Sequence, residues 1–149
     1  MNRRIFLALA IAVSTAFAVG AYAADTTVDV YKSAQCACCD KWVEHMRANG
    51  FVVNVNVVAD TSPYRARAGI PLALGACHTA FVGGYAVEGH VPAVDIQRLL
   101  AQRSAAKGLV VPNMPQTSPG MDRPHGEAWD VLLLASDRAT KVFTSYPAK

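Results

Sequence analysis

The chain is 149 residues long, 52% apolar, and carries a formal charge of +3. That length suits one domain with a core of its own. No basic cluster marks a nucleic-acid binder and no charge run marks a disordered tail.

The first element is "MNRRIFLALAIAVSTAFAVGAYAA". Arg3 and Arg4 precede an apolar run from Ile5 to Val19, and Ala21-Tyr22-Ala23 forms a small-residue cleavage site. This pattern predicts a secretory signal peptide over 1–23, cut before Ala24. The run is too short for a membrane anchor. "RRIFL" leaves the general and twin-arginine export routes both open. Removing the segment leaves 12 Lys+Arg against 11 Asp+Glu, so the mature chain is nearly neutral. Export also places the cysteines in an oxidising compartment, where idle thiols tend to pair.

The mature chain, predicted from residue 24 on, alternates strands and helices. "VDVYKS" predicts a strand over 28–33 that runs straight into "QCACCD". "DKWVEHMRANG" predicts a helix with Trp42, Val43 and Met46 on the face of Cys39, stopped by Gly50. "FVVNVNVV" predicts a strand with Phe51, Val53, Val55 and Val57 on one face. Asp60, Thr61 and Pro63 start a short helix that ends at "GIP", residues 69–71. In "CHTAFVGGYAVEG", Gly83-Gly84 predicts a hairpin. Pro92 opens a helix striped by Ile96, Leu99 and Leu100 and ended by Gly108. The order β-α-β-α-β-β-α, with cysteines at a strand-to-helix junction, predicts an α/β fold of the thioredoxin/glutaredoxin kind over 24–108. A C-terminal extension, 109–149, packs on the same domain. It comprises a Pro-rich segment, read as an ordered wrap or a mobile loop, and a β-hairpin turning near Asp137.

Three of the four cysteines lie in residues 36–39. Cys36 and Cys39 have the C-x-x-C spacing of a redox dithiol, and a helix N-terminus favours their thiolates. Cys38 disturbs that reading, because a third thiol invites scrambled disulfides. All three sulfurs binding one thing together is the better account. Overlaying the hairpin on a glutaredoxin brings Cys77 beside them and puts His90 on the same rim. Four thiolates suit Cu(I), with Met114 and Met121 as added thioethers and His125 as an imidazole. A tetrahedral zinc site is the lesser alternative, since C-x-C-C is not its usual spacing. Two structural disulfides are a further one, disfavoured by adjacent Cys38 and Cys39. Met114 and Met121 also read as gap-filling apolar residues. His78 and His90 read first as hydrogen-bonded structural histidines. His45, Arg65 and Arg67 read as surface residues.

"YKSAQCACCDKWVEHMRANGF", "GIPLALGACHTAFVGGYAVEGHVPAVDIQRLL" and "GLVVPNMPQTSPGM" closely resemble the CopG-type periplasmic copper-resistance proteins, long catalogued as a domain of unknown function. The resemblance covers nearly the whole mature chain. It implies a thioredoxin-like domain with a cysteine-bridged, multinuclear copper cluster held by Cys36, Cys38, Cys39 and Cys77. His78, His90, Met114 and Met121 sit in matching motifs. The implied role is interconversion of Cu(I) and Cu(II) in periplasmic copper resistance, by a monomer whose partners are copper ions and efflux components. Alternatives are a copper-storage or chaperone module without turnover, and a thiol–disulfide oxidoreductase using Cys36 and Cys39.

Overall fold

Strict two-residue alternation in the first strand sets the sheet. The computed structural model describes residues 27–149. The segment read as a signal peptide, 1–23, lies outside them. In β1 (Thr27–Lys32) Val28, Val30 and Lys32 are buried on one face. β1 lies between β2 (Val52–Val57), which runs parallel to it, and β3 (His78–Val82), which runs antiparallel. The sheet continues through β4 (Tyr85–Glu88), β5 (Gly108–Val110), β6 (Trp129–Leu134) and β7 (Thr140–Tyr146), giving the order β2-β1-β3-β4-β5-β6-β7. The fold is mixed α/β, with seven strands and three α-helices among the described residues.

Helices α1 (Ala37–Ala48) and α3 (Ala93–Gln102) cover one face. Their Trp42, Met46, Ile96 and Leu99 are fully buried against Val28, Val30, Ala80 and Val87. Each such aliphatic side chain contributes roughly 1.5–3 kcal/mol of burial. Helix α2 (Ser62–Ala68) covers the other face, where Ala68 and Ile70 meet Ala86, Val110 and Leu134. Asp95, buried in the first turn of α3, accepts hydrogen bonds from the hydroxyls of Thr144 and Tyr146 and so ties α3 to β7.

The predicted hairpin at Gly83-Gly84 is present, and so is the one turning at Asp137, whose carboxylate accepts from Ala139 N–H. Three expectations need correction. Val55 and Val57 are exposed although they share parity with buried Phe51 and Val53, because β2 is the outer strand and α1 covers only its start. Helix α3 stops at Gln102, where Arg103 turns left-handed at φ 48°, well short of Gly108. Gly108 instead opens the short strand β5, where a Cβ would sit 1.7 Å from the Ala86 carbonyl oxygen. Helix α1 begins three residues earlier than the "DKW" pattern suggests, so Cys36 takes the N-cap position with no side-chain cap bond.

The proline-rich segment is an ordered wrap. Val111 N–H bonds Glu88 C=O, Arg123 N–H bonds Gln116 C=O, and Trp129 Nε1 donates to Thr117 Oγ1. No helix among the described residues is long and apolar enough to cross a membrane.

Candidate metal centre

The end of β1 and the start of β3 deliver the sulfurs to one point. Lys32 and His78 are register partners, so the chain leaving β1 enters the C-x-C-C turn directly beside Cys77. The four Sγ atoms of Cys36, Cys38, Cys39 and Cys77 all lie within 4.8 Å of one another. Cys36 and Cys39 are joined as a disulfide, and Cys38 Sγ is 3.5 Å from Cys36 Sγ. Cys39 is fully buried, and the other three are half-buried.

A second group shares Cys39. Ring nitrogens of His78 and His90 lie within 4.8 Å of its sulfur and of each other. Both histidines are 0% exposed, and none of their four nitrogens makes a hydrogen bond of good geometry, although the Gly89 and Pro119 backbones lie near His78 and His90. This corrects the reading of the two as hydrogen-bonded structural histidines. A buried polar atom left bare costs about 1–3 kcal/mol, and native folds rarely tolerate one without a reason. Two adjacent buried rings beside four sulfurs form a donor set that could hold a metal ion. With the Cys36–Cys39 bond reduced, the donor set is soft and neutral-to-anionic, which suits a thiophilic cation.

Burial pushes His78 down to about 3, helped by the nearby His90 and Lys32 charges. Burial likewise lowers His90, with the Pro119 backbone and Asp122 acting weakly against it. Both rings are therefore neutral at pH 7, the form that ligates metal. A pH prediction follows for the copper-free protein. Below 6.5 the unfolded chain takes up protons that folded His78 refuses until about 3, so stability falls as pH drops through that window. The unfolding free energy from urea curves should be lower at pH 5 than at pH 7, by on the order of 2 kcal/mol for His78 alone. Equal free energies would mean that the folded pocket accepts the proton.

The surrounding structure holds the pocket shut. Trp42 lies 4.3 Å, ring to ring, from His78, and its Nε1 donates to Val91 C=O at 2.9 Å. His45 is not a solvated surface residue: its Nε2 accepts the Ala93 N–H at 3.1 Å, capping α3 and fixing the loop that carries His90. A neutral ring is required for that bond, and burial keeps the His45 pKa low. Gly120 is pressed on α1, where a Cβ would sit 2.6 Å from Cys38 C=O and 2.9 Å from Trp42 N. Half-buried Met121 follows Gly120 directly in the chain. Met114 lines a cleft of about 630 Å³ with Pro112, Asn113, Gln116, Glu127 and Trp129. Asn113 and Met114 are both left-handed, at φ 62° and 45°, a strain typical of functional loops. His125 is exposed.

Arg65, read from sequence as a surface charge, is only 11% exposed and pairs with buried Glu88. Arg67 is exposed, with its guanidinium 4.2 Å above the Phe81 ring. Sequence reasoning missed Trp42, Gly120 and Glu88 as parts of the site's frame. A glycine beside a methionine in the proline-rich segment was the available signal for the second.

Comparison with known proteins gives a family match and a fold match. Residues 74–121 match a family described as "Protein of unknown function, DUF411". Two solved structures titled copper resistance protein copG, forms 1 and 2, are 42% identical to the chain and superpose with a TM-score of 0.77. They cover 81% of this chain, which spans 97% and 98% of theirs. No curated protein matches.

Proposed function

The chain belongs to the CopG family of copper resistance proteins, and on that premise we propose that it is an exported, periplasmic protein that holds a multinuclear copper cluster and interconverts Cu(I) and Cu(II). The observation that carries this reading is the single pocket of four sulfurs and two bare, buried imidazoles. Thiolates select Cu(I), and neutral imidazole also serves Cu(II), so the set suits both states of the cargo.

In this reading a thiol reductant supplies the two electrons that open the Cys36–Cys39 bond, after which Cys38 and Cys39 hold copper from the first turn of α1, and Cys77 closes the set from the facing strand. Cys36, at the half-buried N-cap, is the sulfur through which electrons and ions arrive. His78 and His90 hold the buried side, and their neutral form at pH 7 makes proton release unnecessary. Met121, following Gly120 in the chain, and Met114, on the strained loop, are thioethers for capping or transfer. The order β2-β1-β3-β4, with a helix rising from the cysteines, supports a thioredoxin-like core. The apolar leader supports a cleaved signal over 1–23 and periplasmic work.

Metal content tests this cheaply. Protein purified with and without air should carry copper in excess of zinc, with an absorption that changes on oxidation. One colourless zinc ion per chain would overturn the copper reading. Cycling between Cu(I) and Cu(II) with a defined electron partner separates turnover from storage.

The Cys36–Cys39 disulfide favours a second reading, a thiol–disulfide oxidoreductase. Insulin reduction that persists when Cys38 and Cys77 are both replaced by serine would support it. Loss of copper binding in the same variant, with no insulin reduction by any form, would exclude it.

A further inference from the structure

Cys77 lies outside the helix that carries the other cysteines, so its position depends on a separate frame. That frame centres on Glu88, at the end of β4 and 0% exposed. Its Oε1 accepts from Arg65 Nε at 2.7 Å and from the Ala76 N–H at 2.7 Å, and its Oε2 accepts from Thr79 Oγ1 at 2.6 Å. Arg65 Nη2 also donates to the Ala76 carbonyl at 2.7 Å. The residue before Cys77 is thus gripped at both its N–H and its C=O. Because a peptide unit is planar, fixing the Ala76 carbonyl fixes the Ala76–Cys77 amide plane and leaves little freedom to the Cys77 Cα. On the far side, His78 C=O accepts the Gly89 N–H at 3.0 Å.

Space for this arrangement is made by glycine. At Gly75 a Cβ would lie 2.9 Å from Arg65 Nε, and at Gly89 one would lie 2.8 Å from Ala76 Cβ and 2.6 Å from Val111 C=O. A buried ion pair is weak support for stability, since desolvation offsets its attraction. Here two of its four hydrogen bonds end on Ala76, and that allocation has a use beyond joining α2 to β4.

We propose that Arg65 and Glu88 are positioning residues that aim the Cys77 thiolate at the C-x-C-C turn. The proposal rests on the copper reading for its purpose, while the clamp itself is a statement about Cys77. Outer partners of metal ligands act in this way, and their loss typically weakens metal binding about 10–100-fold.

Three variants test it: Glu88→Gln, Arg65→Lys and Thr79→Val. Glu88→Gln removes the charge that pairs with Arg65 and leaves one acceptor oxygen, in place of two, for Arg65, Ala76 and Thr79. Arg65→Lys keeps the ion pair and drops the second bond to Ala76. Thr79→Val removes one hydrogen bond to the same carboxylate and leaves the grip on Ala76 intact. In reduced, copper-free protein, site-resolved alkylation should show Cys77 reacting several-fold faster relative to Cys38 in Glu88→Gln, and less so in Arg65→Lys. Thr79→Val should match the wild type in this ratio even where its thermal midpoint falls. Cu(I) affinity, read by chelator competition, should fall about tenfold or more in Glu88→Gln alone among variants of equal thermal loss.

An unchanged Cys77 ratio in folded Glu88→Gln overturns the proposal, as does an equal change in Thr79→Val. If Glu88→Gln does not fold, Arg65→Lys decides on the same ratio. A wild-type protein that takes up no Cu(I), with Cys77 still released by Glu88→Gln, overturns the copper reading and supports the clamp.

Discussion

Replacing His78 with leucine raises the stability of the copper-free protein while loosening its hold on copper. Both effects follow from two bare nitrogens in a sealed pocket. The wild-type ring forfeits its hydrogen bonds to water on folding and regains none of good geometry, a cost of about 1–3 kcal/mol. Leucine fits between Trp42 and His90 without that cost. For a domain of this size each kcal/mol of that gain corresponds to about 3–6 °C in thermal midpoint at pH 7. Ordinary buried substitutions do the opposite. Loss of one imidazole from the ligand set should weaken Cu(I) binding by about tenfold or more. The same variant should reduce the loss of stability below pH 6.5, because one of the groups responsible for it is gone. Calorimetry at pH 7 and pH 5, with chelator competition alongside, reads all three. A lower midpoint with copper binding intact would make His78 a packing residue.

Cys77→Ser is the second large effect. The substitution removes the one sulfur supplied from outside the C-x-C-C turn and installs a hard oxygen that does not hold Cu(I). Bound Cu(I) per chain should fall, and what remains should be at least about tenfold weaker. Folding should be nearly untouched, within about 1 kcal/mol, since the side chain is half-buried and the change is small. Titration with Cu(I) under a chelator, beside a urea curve, separates the two readouts. Full binding retained by Cys77→Ser would contradict a four-sulfur site.

Much of this site is readable in "QCACCD" and "ACHTA", because thiols are rare and their spacing limits what they can do. Hairpins at Gly83-Gly84 and near Asp137 are legible for a similar reason, since turn chemistry is local. Features that depend on neighbours are not. Val57 has the parity of a core residue, and only its place on the outer strand exposes it. Gly108 looks like a helix stop and is a close strand contact. The bareness of His78 and His90 is a property of everything that fails to reach them, which no spacing encodes. Likewise Arg65 and Glu88 stand 23 residues apart and meet only because α2 and β4 pack together.

Anaerobic titration of the fully reduced protein with Cu(I), with free thiols counted at each addition, tests the central claim most directly. The account predicts saturation at more than one Cu(I) per chain, with all four thiols shielded from modification at the end point. Saturation at no copper, or four thiols still reactive at the end point, would contradict it.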